Sequence, residues 1–223
     1  MRKHDYCQTV CVLLTVFLTA CTTDSYDKGT GKDSLVQGDF TEVAVDAQCN
    51  VVTVATDEGA VYVPASSYTA SWITKGDTTY RAIAYFDIRD AQHIAIHSLT
   101  RMPTLIPRKA EDFKRQPEDP LGIESIWLTK NARYINIGLL LKNGRIDDEE
   151  GVHALAVVDD ALIQHADQKR TSCYRLLHDQ GTAPEYYTNR RYVSILLPAD
   201  MPDTIRLTIP TYEGSVVRTI PVR

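Results

Sequence analysis

His93 and His97 stand four positions apart, a spacing that on a helix would set two metal ligands on one face. The surrounding string QHIAIHS alternates as a strand does, so the two imidazoles share a sheet face about 13 Å apart at roughly 3.3 Å per residue. One ion does not bridge that gap, and the pair reads as two strand residues. Asp147-Asp148-Glu149-Glu150-Gly151 has the charge of a calcium loop but not its spacing, which takes ligands at alternate positions. Consecutive carboxylates suit a solvated loop that discourages edge pairing. His153, His165 and His178 lie near Asp159, Asp160, Asp167 and Asp179, with Ser172 and Cys173 close by, but no glycine elbow surrounds either nucleophile. GTGKDS carries Tyr26 where a phosphate loop needs its first glycine and Asp33 after the lysine. The expectation is a non-enzymatic protein with no catalytic residues, metal site or cofactor.

The densest cluster is aromatic: Tyr62, Tyr68, Trp72, Tyr80, Tyr85 and Phe86 fall within 25 residues. Such rings stack on sugars or bases, or fill a small core. The chain carries a net charge of −5 and no basic run, which argues against nucleic acid and toward a glycan or a protein surface. Tyr62, Tyr68, Trp72, Tyr80 and Tyr85 are the candidate ligand-binding residues. A second aromatic group, Tyr186-Tyr187, stands beside Arg190-Arg191 and could contact a protein or cover a domain end.

Short alternating stretches rich in Val, Ile, Thr and Tyr must position these residues. FTEVAVDA, VVTVAT and AVYV are strands, the last ended by Pro64, and TYRAIAYFDI with QHIAIHSL makes a hairpin around Arg89-Asp90-Ala91. Four prolines (Pro103, Pro107, Pro117, Pro120) then mark an extended connector or a short helix at 108–115. IESIWLT, YINIGLLLK, VHALAVVDD, CYRLLHD, RRYVSILLP, DTIRLTIP and SVVRTIPVR complete the set. Asn143-Gly144 suits a tight hairpin; the alternative is a longer arm turning at 147–151, with VHALAVVDD pairing back from either. Residues 162–171 are ambiguous and read as one helical turn or two. Without convincing helical periodicity the fold class is all-β. About five strands before the connector suit a small OB-like barrel, and about seven after it an antiparallel (Ig-like) β-sandwich.

Residues 10–20 form an apolar run too short to span a bilayer but the right length for a signal-peptide core behind Arg2 and Lys3. Leu18-Thr19-Ala20-Cys21 resembles the lipobox of bacterial lipoproteins. The resemblance implies cleavage before Cys21, lipidation of its thiol, and further acylation (palmitate is one such chain) that together hold a protein stably at a membrane. The expected organisation is a lipoprotein signal peptide at 1–20, a flexible tether at 21–36, an OB-like domain at 37–108, a linker at 109–122 and a β-sandwich domain at 123–223. The location is the bacterial cell envelope, with the outer membrane as the expected anchor. Cys49 and Cys173 remain, as a disulfide or as two buried thiols, the second being the preferred reading.

Gly38-Asp39-Phe40, Asp57-Glu58-Gly59 leading to Val63-Pro64-Ala65, IESIW at 123–127, YINI at 134–137, YVSI at 192–195, IRLTI at 205–209 and Tyr212-Glu213-Gly214 occur in an order that resembles the NigD-like lipoproteins. That resemblance implies a lipobox, a tether, an OB-like domain and a β-sandwich. The family name comes from a bacteriocin operon, which implies immunity or an accessory role with an envelope protein or glycan as partner, and it carries no catalytic residues over.

Overall fold

The computed structural model describes residues 36–222, apart from 147 and 148. The expected signal peptide, Cys21 and the tether through residue 35 lie outside the described residues. Five strands form a closed barrel: β1 (Gln37–Val45), β2 (Val51–Thr56), β3 (Val61–Pro64), β4 (Thr78–Ile88) and β5 (His93–Arg101), in the order β1-β2-β3-β5-β4. Alternation builds it. Along β1, Thr41, Val43 and Val45 point inward and are buried, meeting Val54, Ala82, Ala84, Phe86 and Ile94 in the barrel core. A parallel pairing of Val63–Pro64 with His93–Ile94 closes the ring.

The second half is a sandwich of two four-stranded sheets. One holds β6 (Thr104–Leu105), β7 (Gly122–Leu128), β8 (Tyr134–Asn143) and β13 (Tyr187–Leu196), ordered β6-β13-β8-β7. The other holds β11 (Ala154–Gln164), β12 (Arg170–Asp179), β14 (Thr204–Thr211) and β15 (Gly214–Pro221), ordered β11-β12-β14-β15. Ile135, Ile137, Leu139, Val193 and Ile195 from the first sheet meet Val157, Leu176, Ile205, Leu207 and Ile209 from the second. The architecture is the all-β barrel and sandwich that the strand spacing implied. Two pairings inside it, β12 with β14 and β6 with β13, run parallel.

Three local expectations change. Asn143-Gly144 does not close a hairpin; the chain continues into a short arm, β9 (Arg145–Ile146) and β10 (Glu149–Glu150), as the longer alternative had it. VHALAVVDD does not pair back onto β8. It crosses to the other sheet as β11 and pairs with β12, where Val157 joins the sandwich core. Residues 162–171 are a strand end, a turn and a strand start, with Gln168 taking the left-handed turn position at φ 66°.

The proline-rich connector is stitched along the sandwich. Thr104 and Leu105 pair with Ser194 and Ile195, Arg108 bridges to Val158, and Glu118 bridges to His178. Its single helical turn is a 3₁₀ segment at Ala110–Asp112. From Val36 onward, barrel and sandwich pack as one compact unit.

Candidate functional site

The junction of barrel and sandwich is built around one buried charge. Arg81 interrupts β4 between half-buried Tyr80 and buried Ala82, and its side chain is 1% exposed. Its Nη2 donates to Asp57 Oδ2 at 2.5 Å and to Asn136 Oδ1 at 3.1 Å, and its Nε donates to Ser194 Oγ at 3.2 Å. Asn136 Nδ2 donates to the same Asp57 oxygen at 2.8 Å, and Ser194 Oγ donates to Asn136 Oδ1 at 2.6 Å. Arg81 and Asp57 belong to the barrel, Asn136 and Ser194 to the sandwich. A charge withdrawn from water persists only when paired and hydrogen-bonded, and here the partners come from both halves.

β8 explains how the sandwich supplies its share. Its odd-numbered residues fill the sandwich core, while Asn136 and Gly138 face the barrel and are also buried. Tyr134 lies with its ring 4.3 Å beneath the Arg81 guanidinium, and its hydroxyl donates to Glu42 at 2.5 Å. Burial, then the hydrogen bond to Glu42, push that hydroxyl up to about 12. Arg133 Nη1 reaches the other Glu42 oxygen at 2.7 Å. Phe40, Trp127 and Tyr192 meet edge to face beside them, at centroid distances of 5.1–6.4 Å. The signal for this junction was in the sequence as lone polar residues within apolar strand runs, Arg81 in TYRAIAYFDI and Asn136 in YINIGLLLK. Alternation alone could not show that the two meet.

A cleft of about 610 Å³ opens next to this junction, a size within the usual range for ligand sites. Residues 100–103 of the barrel and the start of the connector form one wall; β13 and the beginning of β11 form the others. Met102, Leu141, Leu155 and Val193 make an apolar floor. Arg101, Arg190 and Arg191 line it, and no carboxylate does among the described residues. Arg190 pairs with Glu124 at 2.5 Å, whereas no described group pairs with Arg101.

The sequence-derived ligand residues lie elsewhere, on the barrel. Tyr62, Tyr68, Trp72 and Tyr80 are half-buried and pack against the barrel core. Trp72 stacks edge-on to Tyr80 at 5.5 Å and donates its Nε1–H to the Leu99 carbonyl at 3.0 Å. Tyr80 is further held by Lys75, whose N–H and C=O both bond its hydroxyl at 2.9 Å. Tyr85 is exposed, with its ring over Gly38. The candidate rings thus do not form one exposed row.

The remaining candidates also separate. His93 Nδ1 lies 2.9 Å from Asp90 and His97 Nε2 3.0 Å from Asp87, two different carboxylates. His97 sits at a bulge of β5, so the strand alternation breaks there. The tip of the acidic arm lies outside the described residues. His178 is fully buried, stacked on His153 at 5.2 Å. Its Nδ1 donates to the Asp119 carbonyl, so its Nε2 accepts from His153 Nδ1 at 2.9 Å. His165 lies at the other end of the β11–β12 ladder, about 30 Å away at roughly 3.3 Å per residue. There its Nε2 lies 2.9 Å from the hydroxyl of Thr171, the neighbour of Ser172. Cys49 and Cys173 are both free thiols and half-buried.

Comparisons with solved structures define the class of fold. A NigD-like immunity protein from Bacteroides caccae ATCC 43185 superposes with a TM-score of 0.63 at 23% identity, covering 82% of this chain and 91% of that one. A candidate toxin-related protein from Parabacteroides distasonis ATCC 8503 gives 0.63 at 16% identity, covering 82% and 91%. A candidate lipoprotein from Bacteroides fragilis NCTC 9343 gives 0.61 at 11% identity, covering 84% and 98%. No family model matches the chain, and no curated protein matches it. The barrel and sandwich are thus the NigD-like fold that the ordered strings in the sequence implied.

Proposed function

We propose that this chain is a lipid-anchored cell-envelope protein of the NigD-like kind that binds a partner rather than catalysing a reaction, in an immunity or accessory role. The observation that carries the reading is the cleft between barrel and sandwich. It is concave, apolar at its floor and cationic at its walls, and its two halves are held by the Arg81 network. Among the described residues no nucleophile and base converge in it, as hydrolysis would require. The shared fold adds support, since one protein of that fold is described as an immunity protein and another as a candidate lipoprotein. The anchor rests on Cys21, whose flanking residues match a lipobox.

A glycan-binding module on the barrel aromatics is the alternative. It has Tyr85 as an exposed ring, whereas the other four candidates spend their faces on the core.

Cross-linking the intact lipoprotein in its own membrane, followed by mass spectrometry, tests the reading. A stoichiometric protein partner is expected; retention of polysaccharide with no protein would favour the alternative. Metabolic labelling with a palmitate analogue, lost in Cys21→Ser, is the expected result for the anchor.

A further inference from the structure

The cleft exposes a length of unpaired sheet edge. β13 pairs with β8 along its whole length, from Tyr187 with Asn143 to Leu196 with Tyr134. On its other side it pairs only at Ser194 and Ile195, with β6. Ser194 N–H donates outward to the Pro103 carbonyl at 3.0 Å. Successive residues of a strand turn their amides to opposite sides. The N–H and C=O groups of Thr188, Arg190 and Tyr192 therefore face the same outward side as Ser194. Among the described residues no strand covers them.

The connector explains why the opening stops where it does. It covers β13 at 194–195 and then crosses to β11, where Arg108 N–H donates to Val157 and the Asp159 N–H donates to Arg108. Beyond that staple both sheet edges are open, and the cleft lies between them. Edges left bare invite strand addition, and peptide-binding domains use this mode. The charge selects the peptide. Arg101, with which no described group pairs, lines a cleft without a described carboxylate, in a chain of net charge −5. A local cationic concavity on an acidic protein concentrates anionic partners.

We propose that an extended acidic segment of a partner protein adds to the 188–192 edge of β13 as an extra strand, a carboxylate on Arg101 and its apolar side chains on Met102 and Leu155. The proposal rests on the partner-binding reading above and names the site and the chemistry of the partner.

Fluorescence anisotropy of the full chain tests it, with a labelled octapeptide of alternating Glu and Val as probe. Saturable binding is expected, weakened about tenfold or more by Arg101→Glu, with no binding of the matching Lys and Val peptide. Two further Glu and Val peptides carry N-methyl groups on alternate, complementary amides. Strand addition requires that one of them loses binding and the other keeps it. No binding of the parent peptide at about 1 mM overturns the proposal, as does equal binding of both methylated peptides. Retention of polygalacturonate with the same Arg101 dependence would assign the cleft to acidic glycans instead and overturn it too. A membrane partner that cross-links to the barrel, with no peptide bound, would overturn this site and leave the partner-binding reading standing.

Discussion

Arg81 of the barrel and Asn136 of the sandwich are joined by a hydrogen bond of 3.1 Å, and both also bond one oxygen of Asp57. Each half thus satisfies a buried polar group of the other. Removing one member of a buried ion pair costs about 3–5 kcal/mol, because the other charge is left in a dry site. Arg81→Leu or Asp57→Leu alone should lower unfolding stability by that order. The double variant should recover part of the loss, since replacing both charges by apolar groups is often neutral. Urea denaturation of the four proteins checks this as a double-mutant cycle; additive losses would show that the pair does not couple.

Tyr134 and Tyr174 tie stability to alkaline pH. Both hydroxyls are pushed up to about 12, in each case first by burial; Glu42 adds to the effect at Tyr134 and the Asp159 charge at Tyr174. An unfolded tyrosine ionises near 10. Below that pH both states keep the proton and the contribution is intact. Between about 10 and 12 the unfolded chain ionises first, so stability falls, by about 1.4 kcal/mol per pH unit for each tyrosine. Chemical denaturation across that window should show the fall, and Tyr134→Phe should make it shallower by about half.

Trp72 should act as part of the barrel. Trp72→Phe removes the hydrogen bond to the Leu99 carbonyl and should cost about 1 kcal/mol. Trp72→Ala also removes the contact with Tyr80 and should cost about 3 kcal/mol, the lower end for a large ring because this one is half-buried. Thermal unfolding measures both; an unchanged midpoint in Trp72→Ala would mean the ring is not structural.

Gly76 is pinned by a close approach. A Cβ there would stand 2.6 Å from both the Asp46 and Ala47 carbonyl oxygens, which are backbone and cannot swing away. Gly76→Ala should destabilise by about 1–3 kcal/mol through this overpacking. The urea midpoint should shift with its slope unchanged.

The free thiols give a simple control. Cys49 and Cys173 are unbonded, so a reductant should leave the unfolding midpoint of the full chain where it was. A lowered midpoint would reveal a disulfide between them.

Much of the fold was legible along the chain. Period-two alternation named the strands, and Gly59 and Gly214 marked turns that the structure closes with φ of 98° and 105°. That information is local, because each strand buries one face and each tight turn needs a particular backbone shape. What alternation does not encode is the neighbour. YINIGLLLK reads as apolar throughout because β8 is buried on both faces, and only the packed molecule shows that Asn136 turns toward Arg81. VHALAVVDD gave no sign that it would cross to the far sheet, since either sheet would accept its apolar face. The aromatic cluster was plain in the sequence, but whether a ring faces core or solvent depends on barrel closure. The bare edge of β13 exists only because the connector pairs with two of its residues and then leaves for β11. Strand identity is thus written in adjacent residues, while the junction and the cleft arise from contacts between residues far apart in the chain.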